Sequence, residues 1–302
     1  MPISQRDVRN RIASVKNIEK ITRAMEMVAA ARLRRAEQRI DALRPYASAI
    51  RRMTREAAEA AGGLPRLPIL ADREQVNGVG LLLVAGDRGL AGGFNSNIVR
   101  AGIAAGREHD ANGRKAVYFA SGRRPASSLR FRRVELAESF IGFTDRPAYA
   151  DARRIAERLT AGYIDGELDQ VEVFYNSYIS PISQVVRHET LLPLQRATLL
   201  EEDDAGEEDS EGAPRARAGV EYEPDPEKIL ERLIPDYVEV SIYRALLEST
   251  ASEHGARMTA MRNATDNAGE LITDLTLAMN RARQAEITAE IMEVVAGAEG
   301  VG

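Results

Sequence analysis

Apolar residues recur at helical spacing in the N-terminal part of this 302-residue chain. No glycine occurs between Ser4 and about Ala61, and Pro45 is the interior proline, so the pattern predicts one long helix with an N-cap at Ser4. Steps of three and four connect Leu33, Ala36, Ile40, Leu43, Ala47 and Ile50, and an earlier stripe runs through Val8, Ile12, Val15, Ile18, Ile21, Met25 and Val28. A seam of this kind predicts a partner helix.

The C-terminal part predicts that partner, because no proline follows Pro235. Gly255 and Gly269 lower the helix propensity there by about 1 kcal/mol each. The seam again alternates steps of three and four, through Met258, Met261, Thr265, Ala268, Ile272, Leu275, Met279 and Ala282. We therefore predict a long antiparallel coiled coil between the two ends of the chain.

The predicted helices are too long for a compact molecule. A helix of about 55 to 60 residues spans roughly 80 to 90 Å. A compact chain of this length would have a diameter of about 50 Å. The helix pair is therefore expected to project as a shaft and to meet partners outside the chain.

Between the helices the apolar period changes to two, which predicts strands. The strand-like runs are "GVGLLLVA", "KAVYFA", "RRVELAES", "QVEVFYNSYIS" and "QVVRHETLLPL", and helical stretches over "NSNIVRAGIAAGREH" and "RPAYADARRIAERLTAGYI" lie between them. This alternation predicts an open α/β sheet over about residues 76–196, with the last two strands an antiparallel pair at one edge.

The turn "AGDRGLAGGFN" (residues 85–95) stands where phosphate-binding loops occur, after a buried strand and before a helix. No Lys-Ser or Lys-Thr follows Gly92 and Gly93, so the P-loop pattern fails, and the glycine spacing also departs from the dinucleotide fingerprint. Asp87 would in addition repel a phosphate. We predict a tight turn with glycines at positive φ.

Charge is unevenly distributed around the net value of −5. Residues 1–61 contain 14 Lys and Arg against 7 Asp and Glu, whereas residues 201–211 contain 8 acidic residues and no basic one. A basic arm predicts a polyanionic partner, either a nucleic acid or an acidic protein surface. The acidic tract is interpreted as a solvated loop.

Several kinds of site are disfavoured by composition. The chain has no cysteine, and His109, His188 and His254 lack a second ligand at metal-binding spacing, so we expect no metal site. The longest apolar run, around Leu81 to Val84, is far below the roughly 18 to 20 residues that a membrane span needs. We expect a cytosolic or peripheral protein without direct membrane insertion and without a cofactor.

Three strings together resemble the gamma subunit of rotary ATP synthases. They are "RIASVKNIEKITRAMEMVAAARLRRAEQRI", "DRGLAGGFN" and "MTAMRNATDNAGELITDLTLAMNRARQAEITAEIMEVVAGA", and the resemblance covers essentially the whole chain. It implies a non-catalytic rotor whose paired terminal helices turn inside three alpha and three beta subunits. An open Rossmann-like α/β sheet domain would sit beside the epsilon subunit and the membrane c-ring, at the cytoplasmic face of the inner membrane. Proton or sodium flow would drive rotation.

The resemblance also implies residue roles. Met25 in "RAMEM" matches a methionine near an acidic loop of beta, and Arg257 in "GARMTAM" matches a basic residue that pairs with that loop. Arg283 and Gln284 in "RARQAEIT" match contacts with another beta loop, and Thr288 lies one turn further. In "EYEPDPEK", Tyr222 and Glu223 match the foot that touches the c-ring. The glycine turn, with Asp87, Arg88, Gly92 and Gly93, is expected near beta or epsilon.

The sequence departs from the family at two places. Ala91 stands where many relatives have cysteine, and no cysteine pair follows "LLPL", so thiol switching of this chain is excluded.

We divide the chain into an N-terminal shaft helix (1–62), an α/β body (76–196), an acidic loop and foot (197–226) and a C-terminal shaft helix (227–302). Two alternatives stay open at this point. A basic coiled-coil nucleic-acid-binding protein would require stacking aromatics, whereas the arm has Tyr46 alone. A nucleotide-binding enzyme would require a ligand at the glycine turn.

Overall fold

The protein is described from a computed structural model that covers residues 5–65, 67–71, 73–194 and 225–299. It consists of two compact units. The helix-pair unit comprises Met1–Ala31 and Arg257–Gly302, and the body unit comprises Arg32–Ala256.

A long helix at each end of the chain contributes to both units. Helix α1 spans Gln5–Ala60 and continues through Pro45. The C-terminal helix, α5 in our numbering, spans Pro226–Glu299 and begins with a proline, the residue whose missing N–H costs nothing in a first turn. The prediction of two long terminal helices is confirmed.

Within the helix-pair unit, α1 and α5 run antiparallel. The Thr22 and Thr265 hydroxyl oxygens are 2.7 Å apart, and Arg262 Nε donates to Glu26 Oε1 at 2.9 Å. Numbers therefore rise along one helix as they fall along the other, as predicted. On α5 the predicted seam from Met258 to Ala282 is the buried or half-buried side of the helix throughout.

The N-terminal stripe predicted on α1 is correct at Val8, Ile12, Val15 and Met25, which are buried or half-buried, and is wrong at three positions. Ile18, Ile21 and Val28 are exposed by 50 %, 58 % and 54 %. The buried or half-buried positions keep steps of three and four but pass through polar residues: Val8, Ile12, Val15, Glu19, Thr22, Glu26 and Ala29. The spacing of apolar residues does not reveal this seam, because Thr22 and Glu26 are polar and occupy seam positions where they hydrogen-bond to α5. Ile18, Ile21 and Val28 form a second, outward-facing stripe.

The body unit contains the predicted open sheet. Its strands are β1 (Gly78–Val84), β2 (Lys115–Ser121), β3 (Leu136–Phe140), β4 (Gln170–Ser180) and β5 (Ser183–Leu192), in the spatial order β3-β2-β1-β4-β5. The first four strands are parallel, and β5 pairs antiparallel with β4 at the edge. The fold class and the antiparallel edge pair are confirmed.

Three helices connect the strands: α2 (Phe94–Ala111), α3 (Arg123–Phe131) and α4 (Tyr149–Ile164). The sequence patterns predict α2 and α4 but not α3. This helix has nine residues, "RRPASSLRF", and buries Pro125, Ala126 and Leu129, so its apolar face is too short to give a clear period.

The sheet is covered on both faces, which explains why every residue of β1 is buried. Leu81 and Leu83 point to a core that includes Ile98 of α2 and Leu129 of α3. Leu82 and Val84 point to the other core, which α4, the first part of α5 and the end of α1 complete. The α5 residues in this second core are Leu230, Ile234, Val238, Ile242, Ala245 and Leu246.

We expect Gly106→Ala to lower the free energy of unfolding by about 1 to 3 kcal/mol, because a Cβ on this α2 residue would overlap the Tyr118 hydroxyl group. Gly269→Ala on α5 meets nothing within 4 Å and should instead stabilise, by up to about 1 kcal/mol of helix propensity. Urea titrations followed by circular dichroism measure both. Equal shifts of one sign would contradict the packing argument.

Candidate functional site

The glycine turn joins β1 to α2 and is closed by its own hydrogen bonds. Gly86 N donates to Asn95 Oδ1 at 2.9 Å, and Asn95 Nδ2 donates to the Arg88 carbonyl oxygen at 3.1 Å. One α2 residue therefore holds the first half of the turn at two points. The Gly86 N–H and the Arg88 carbonyl oxygen, which could otherwise bind a ligand, are therefore already hydrogen-bonded within the chain.

The prediction of glycines at positive φ holds for one of the four glycines. Gly92 has φ +56°, but Gly93 has φ −79° and precedes α2 in an ordinary helical conformation. Gly86 and Gly89 are explained by close approach. A Cβ on Gly86 would lie 2.7 Å from the Glu253 carboxyl group of α5, and one on Gly89 would lie 2.8 Å from the Arg124 guanidinium group of α3.

Asp87 of the turn binds two neighbouring loops of the sheet. Its Oδ1 accepts the Arg123 N–H at the start of α3 at 2.9 Å. Its Oδ2 accepts the N–H groups of Gly142 and Thr144 at 2.9 and 3.2 Å and lies 3.0 Å from the Thr144 hydroxyl. A carboxylate of the protein thus occupies the N-terminus of α3, where an anionic ligand would otherwise find free N–H groups. The turn therefore connects loops of the sheet through hydrogen bonds. This agrees with the absence of the Lys-Ser or Lys-Thr pair that a P-loop requires.

The histidines do not all stand alone, contrary to the sequence interpretation. His109 Nε2 of α2 and His188 Nε2 of β5 lie 3.1 and 2.8 Å from the two carboxyl oxygens of Glu172 on β4. His254 lies 3.8 Å from Asp145. Sequence spacing missed these groups because their members are joined only by strand pairing and helix packing. Among the described residues, no three His, Asp or Glu form a group suited to a metal ion.

Glu172 is 3 % exposed, and its ionisation depends on the two imidazoles. Burial raises the pKa of this carboxyl, but the hydrogen bonds and charges of His188 and His109 outweigh it, so the net pKa lies below its ordinary value. The hydrogen bond to Glu172 raises the pKa of His188, against a smaller opposing effect of burial. The cluster fastens β5 and α2 to β4.

The structure locates the expected contact residues of the helix-pair unit at different exposures. Met25 is half-buried on α1. Arg283, Gln284 and Thr288 are exposed on α5, and Thr288 Oγ1 donates to the Gln284 carbonyl oxygen at 2.8 Å, one turn earlier. Arg257 is 8 % exposed, so little of its guanidinium surface is available to a partner. Tyr222 and Glu223 lie outside the described residues.

Comparison with known proteins identifies the family. A family model described as ATP synthase matches residues 4–301. The ATP synthase gamma chain of Rubrobacter xylanophilus is 46 % identical over 301 residues, which are 99 % of this chain and 98 % of that protein. The gamma chain of Moorella thermoacetica is 44 % identical and covers 98 % of each chain. This chain belongs to the ATP synthase gamma-chain family.

Solved structures agree with the assignment. The central stalk of the Tetrahymena thermophila mitochondrial ATP synthase is 26 % identical, with a TM-score of 0.58, over 81 % of this chain and 99 % of that one. A chain of the Euglena gracilis mitochondrial ATP synthase has a TM-score of 0.67 at 18 % identity over 98 % of this chain and 94 % of that one, which supports the fold alone.

As a gamma chain, this protein is a non-catalytic subunit of an ATP synthase and the rotor of its central stalk. The comparisons give no support to the nucleic-acid-binding alternative. Within the described residues, no helix combines the length and apolar character that crossing a bilayer requires.

The histidine pair predicts a pH dependence of stability. Because the folded pKa of His188 is raised above 6.5, its contribution is full below that pH and is lost as the pH rises through the folded value. Because the pKa of Glu172 is lowered from 4.5, its contribution is present above that pH and is lost in stronger acid. Both contributions are therefore present between about pH 5 and 6.5.

We expect His188→Gln to lower the melting temperature more at pH 5.5 than at pH 8.5. Thermal unfolding of both proteins, followed by circular dichroism across this range, measures the difference. Ile155→Val, which shortens a buried apolar side chain of α4, serves as the control with a pH-independent deficit. A deficit of His188→Gln that is the same at both pH values would contradict the assignment.

Proposed function

We propose that this chain turns inside a ring of three alpha and three beta subunits and couples c-ring rotation to conformational change at the beta catalytic sites. The c-ring would be driven by protons or sodium ions, and the chain would bind peripherally at the cytoplasmic face of the inner membrane, beside epsilon. The similar Tetrahymena structure comprises the central stalk and c-ring of that synthase, which supports the c-ring as a partner.

One observation carries the proposal: apolar side chains are exposed on both helices of the helix-pair unit. On α1 these are Ile18, Ile21, Met27 and Val28, and on α5 they are Leu271, Leu277, Ile287, Ile291, Met292, Val294 and Val295. Apolar exposure of this extent marks a surface that a partner covers. Apolar contact is also non-directional. A ring of subunits that contacts these helices through apolar side chains would therefore resist their rotation less than a ring that is hydrogen-bonded to them.

The polar residues among them are proposed to make the angle-dependent contacts. Arg283 and Gln284 are exposed neighbours on α5 and have donors to offer a loop of beta, with Thr288 one turn further. Met25 would face an acidic loop of beta, and Arg257 would reach the same loop through its small exposed part. Each beta conformation would then be favoured at one rotor angle, so that rotation shifts the conformational equilibrium.

The part of the chain between the two long helices is proposed to contact the c-ring, and beta or epsilon. Tyr222 and Glu223 would form the foot on the c-ring. At the glycine turn, Asp87 is committed to its own loops, so the exposed Arg88, next to Gly92 and Gly93, is the side chain available to beta or epsilon.

Co-purification tests the proposed assembly. A tagged form of this chain, expressed with the other subunits of its synthase, should elute with alpha and beta in a 3:3:1 ratio and carry ATPase activity. Recovery of this chain without alpha and beta, or in excess over one copy per complex, would overturn the proposal.

We expect Met25→Lys to leave ATP hydrolysis within about twofold of wild type while it lowers ATP-driven ion pumping. The added charge would bind a beta carboxylate at some rotor angles and would have to break that contact at others. Hydrolysis rate and pumping in inverted vesicles measure the two effects. Asn10→Lys, which adds the same charge at an exposed polar position of α1 outside the apolar surface, is the matched control, and unchanged pumping by Met25→Lys contradicts the placement.

We also expect deletion of residues 291–302 to be tolerated better than Arg283→Ala with Gln284→Ala. The deleted residues would make non-directional apolar contacts with the ring, whereas the two polar side chains would make directional hydrogen bonds to beta. ATP synthesis by reconstituted vesicles compares them, with Arg281→Ala as the control for loss of an exposed arginine. Equal losses from the deletion and the double substitution would refute this distinction.

A further inference from the structure

The loop between β3 and α4 contacts both terminal helices within the body unit. Arg32 of α1 donates from Nη1 to both carboxylate oxygens of Asp145, at 2.6 and 2.5 Å. His254 of α5 is buried on the other side, with Nε2 3.8 Å from Asp145 Oδ1. Thr250 Oγ1 of α5 lies 2.9 Å from the Thr144 carbonyl oxygen. We call this group the β3 contact.

The β3 contact is anchored to the rest of the sheet. Thr144 bonds Asp87 of the β1 turn through both its N–H and its hydroxyl, and Gly142 N–H donates to the same carboxylate oxygen. The loop is therefore hydrogen-bonded to the β1 turn as well as to the two helices. A displacement of α1 or α5 at this point would be passed to β1 through Asp87.

A second polar group, the β4 contact, joins the end of β4 to the same two helices. Tyr178 Oη donates to Glu37 Oε1 of α1 at 2.5 Å. Ser177 Oγ donates to Glu248 Oε2 of α5 at 2.7 Å. Ser252 Oγ of α5 donates to the carbonyl oxygen of Asn176 at 3.0 Å, which is also in β4.

The two contacts alternate along α5 and also reach α1. On α5, Glu248 and Ser252 belong to the β4 contact and Thr250 and His254 belong to the β3 contact, while Glu37 and Arg32 connect the same two contacts to α1. Bonds to two helices at once resist rotation of the sheet about either helix, which bonds to one helix do not. The apolar core between the sheet and α5 contributes attraction but little direction, whereas the hydrogen bonds and the Arg32–Asp145 ion pair favour one relative orientation.

We propose that the β3 and β4 contacts form a two-point clamp that transmits torque between the sheet and helices α1 and α5. Asp145 and Tyr178 are its positioning residues, since they act through Arg32 and Glu37 and touch no reacting group. The proposal depends on the rotor function of the chain. It adds which side chains fix the orientation of the sheet on the two helices.

The clamp is tested by Asp145→Asn, Tyr178→Phe and the double variant, each in the complete synthase. Both substitutions keep the side-chain volume while removing a charge or a hydroxyl. Glu167→Gln is the matched control, because it breaks the 3.1 Å pair of Glu167 with Arg158 of α4, which involves neither α1 nor α5. The readouts are ATP hydrolysis, ATP-driven pumping in inverted vesicles, and the angular variance of a bead attached to the sheet of the rotor in a surface-held complex.

In the double variant we expect the bead's angular variance at each dwell to rise about twofold, because one directed bond in each of the two contacts is removed. The ratio of pumping to hydrolysis should fall in parallel, with smaller changes in the single variants and none in Glu167→Gln. A purely structural role would lower hydrolysis and pumping together and leave their ratio unchanged.

Unchanged variance and an unchanged pumping ratio in assembled variants would overturn the clamp. If the double variant does not assemble, Tyr178→Phe, which removes a single oxygen atom, decides the same question. Failure of the rotor assignment would look different, because wild-type complexes would then show no ATP-driven rotation of the bead at all.

Discussion

The body of this protein depends on the need to cover both faces of a buried parallel sheet. Every residue of β1 is buried, and one face is covered by α2 and α3. The other face is completed by α4 together with residues of α5 and the end of α1. The end of α1 and the first part of α5 are therefore part of the sheet's own core. This coupling suits a subunit whose helices and sheet must turn together.

Directed polar contacts then add orientation to this apolar attachment. Asp87 draws three loops of the sheet together, and Asp145 and Tyr178 connect the ends of β3 and β4 to α1 and α5. The geometry that invites a nucleotide-binding interpretation, a glycine turn at the carboxyl ends of parallel strands, is used here for internal bonding. A carboxylate at the start of α3 fills the place of a bound anion, so the fold keeps the layout of a ligand-binding sheet while its function lies elsewhere.

The helix-pair unit follows a different rule. Its inner side is held by a heptad seam in which Thr22, Glu26, Arg262 and Thr265 form polar pairs, and its outer side exposes apolar residues. Polar pairs at a coiled-coil seam specify register, which a uniform apolar seam leaves free to slip. The exposed apolar side chains form the surface that we propose partners cover. Because the seam includes polar residues and the outer side includes apolar ones, the apolar pattern along α1 misplaced Ile18, Ile21 and Val28.

The sequence by itself determined the long terminal helices, the antiparallel pairing, four parallel strands with an antiparallel edge, and the absence of a P-loop lysine, because each rests on local spacing or residue identity. Only the tertiary structure decided what joins residues far apart in sequence. Glu172 meets His109 and His188, Asp145 meets Arg32 and His254, and Gly86 is small because Glu253 lies against it. Sequence spacing carries no signal for such groups, since strand order and helix packing, rather than distance along the chain, bring their atoms together.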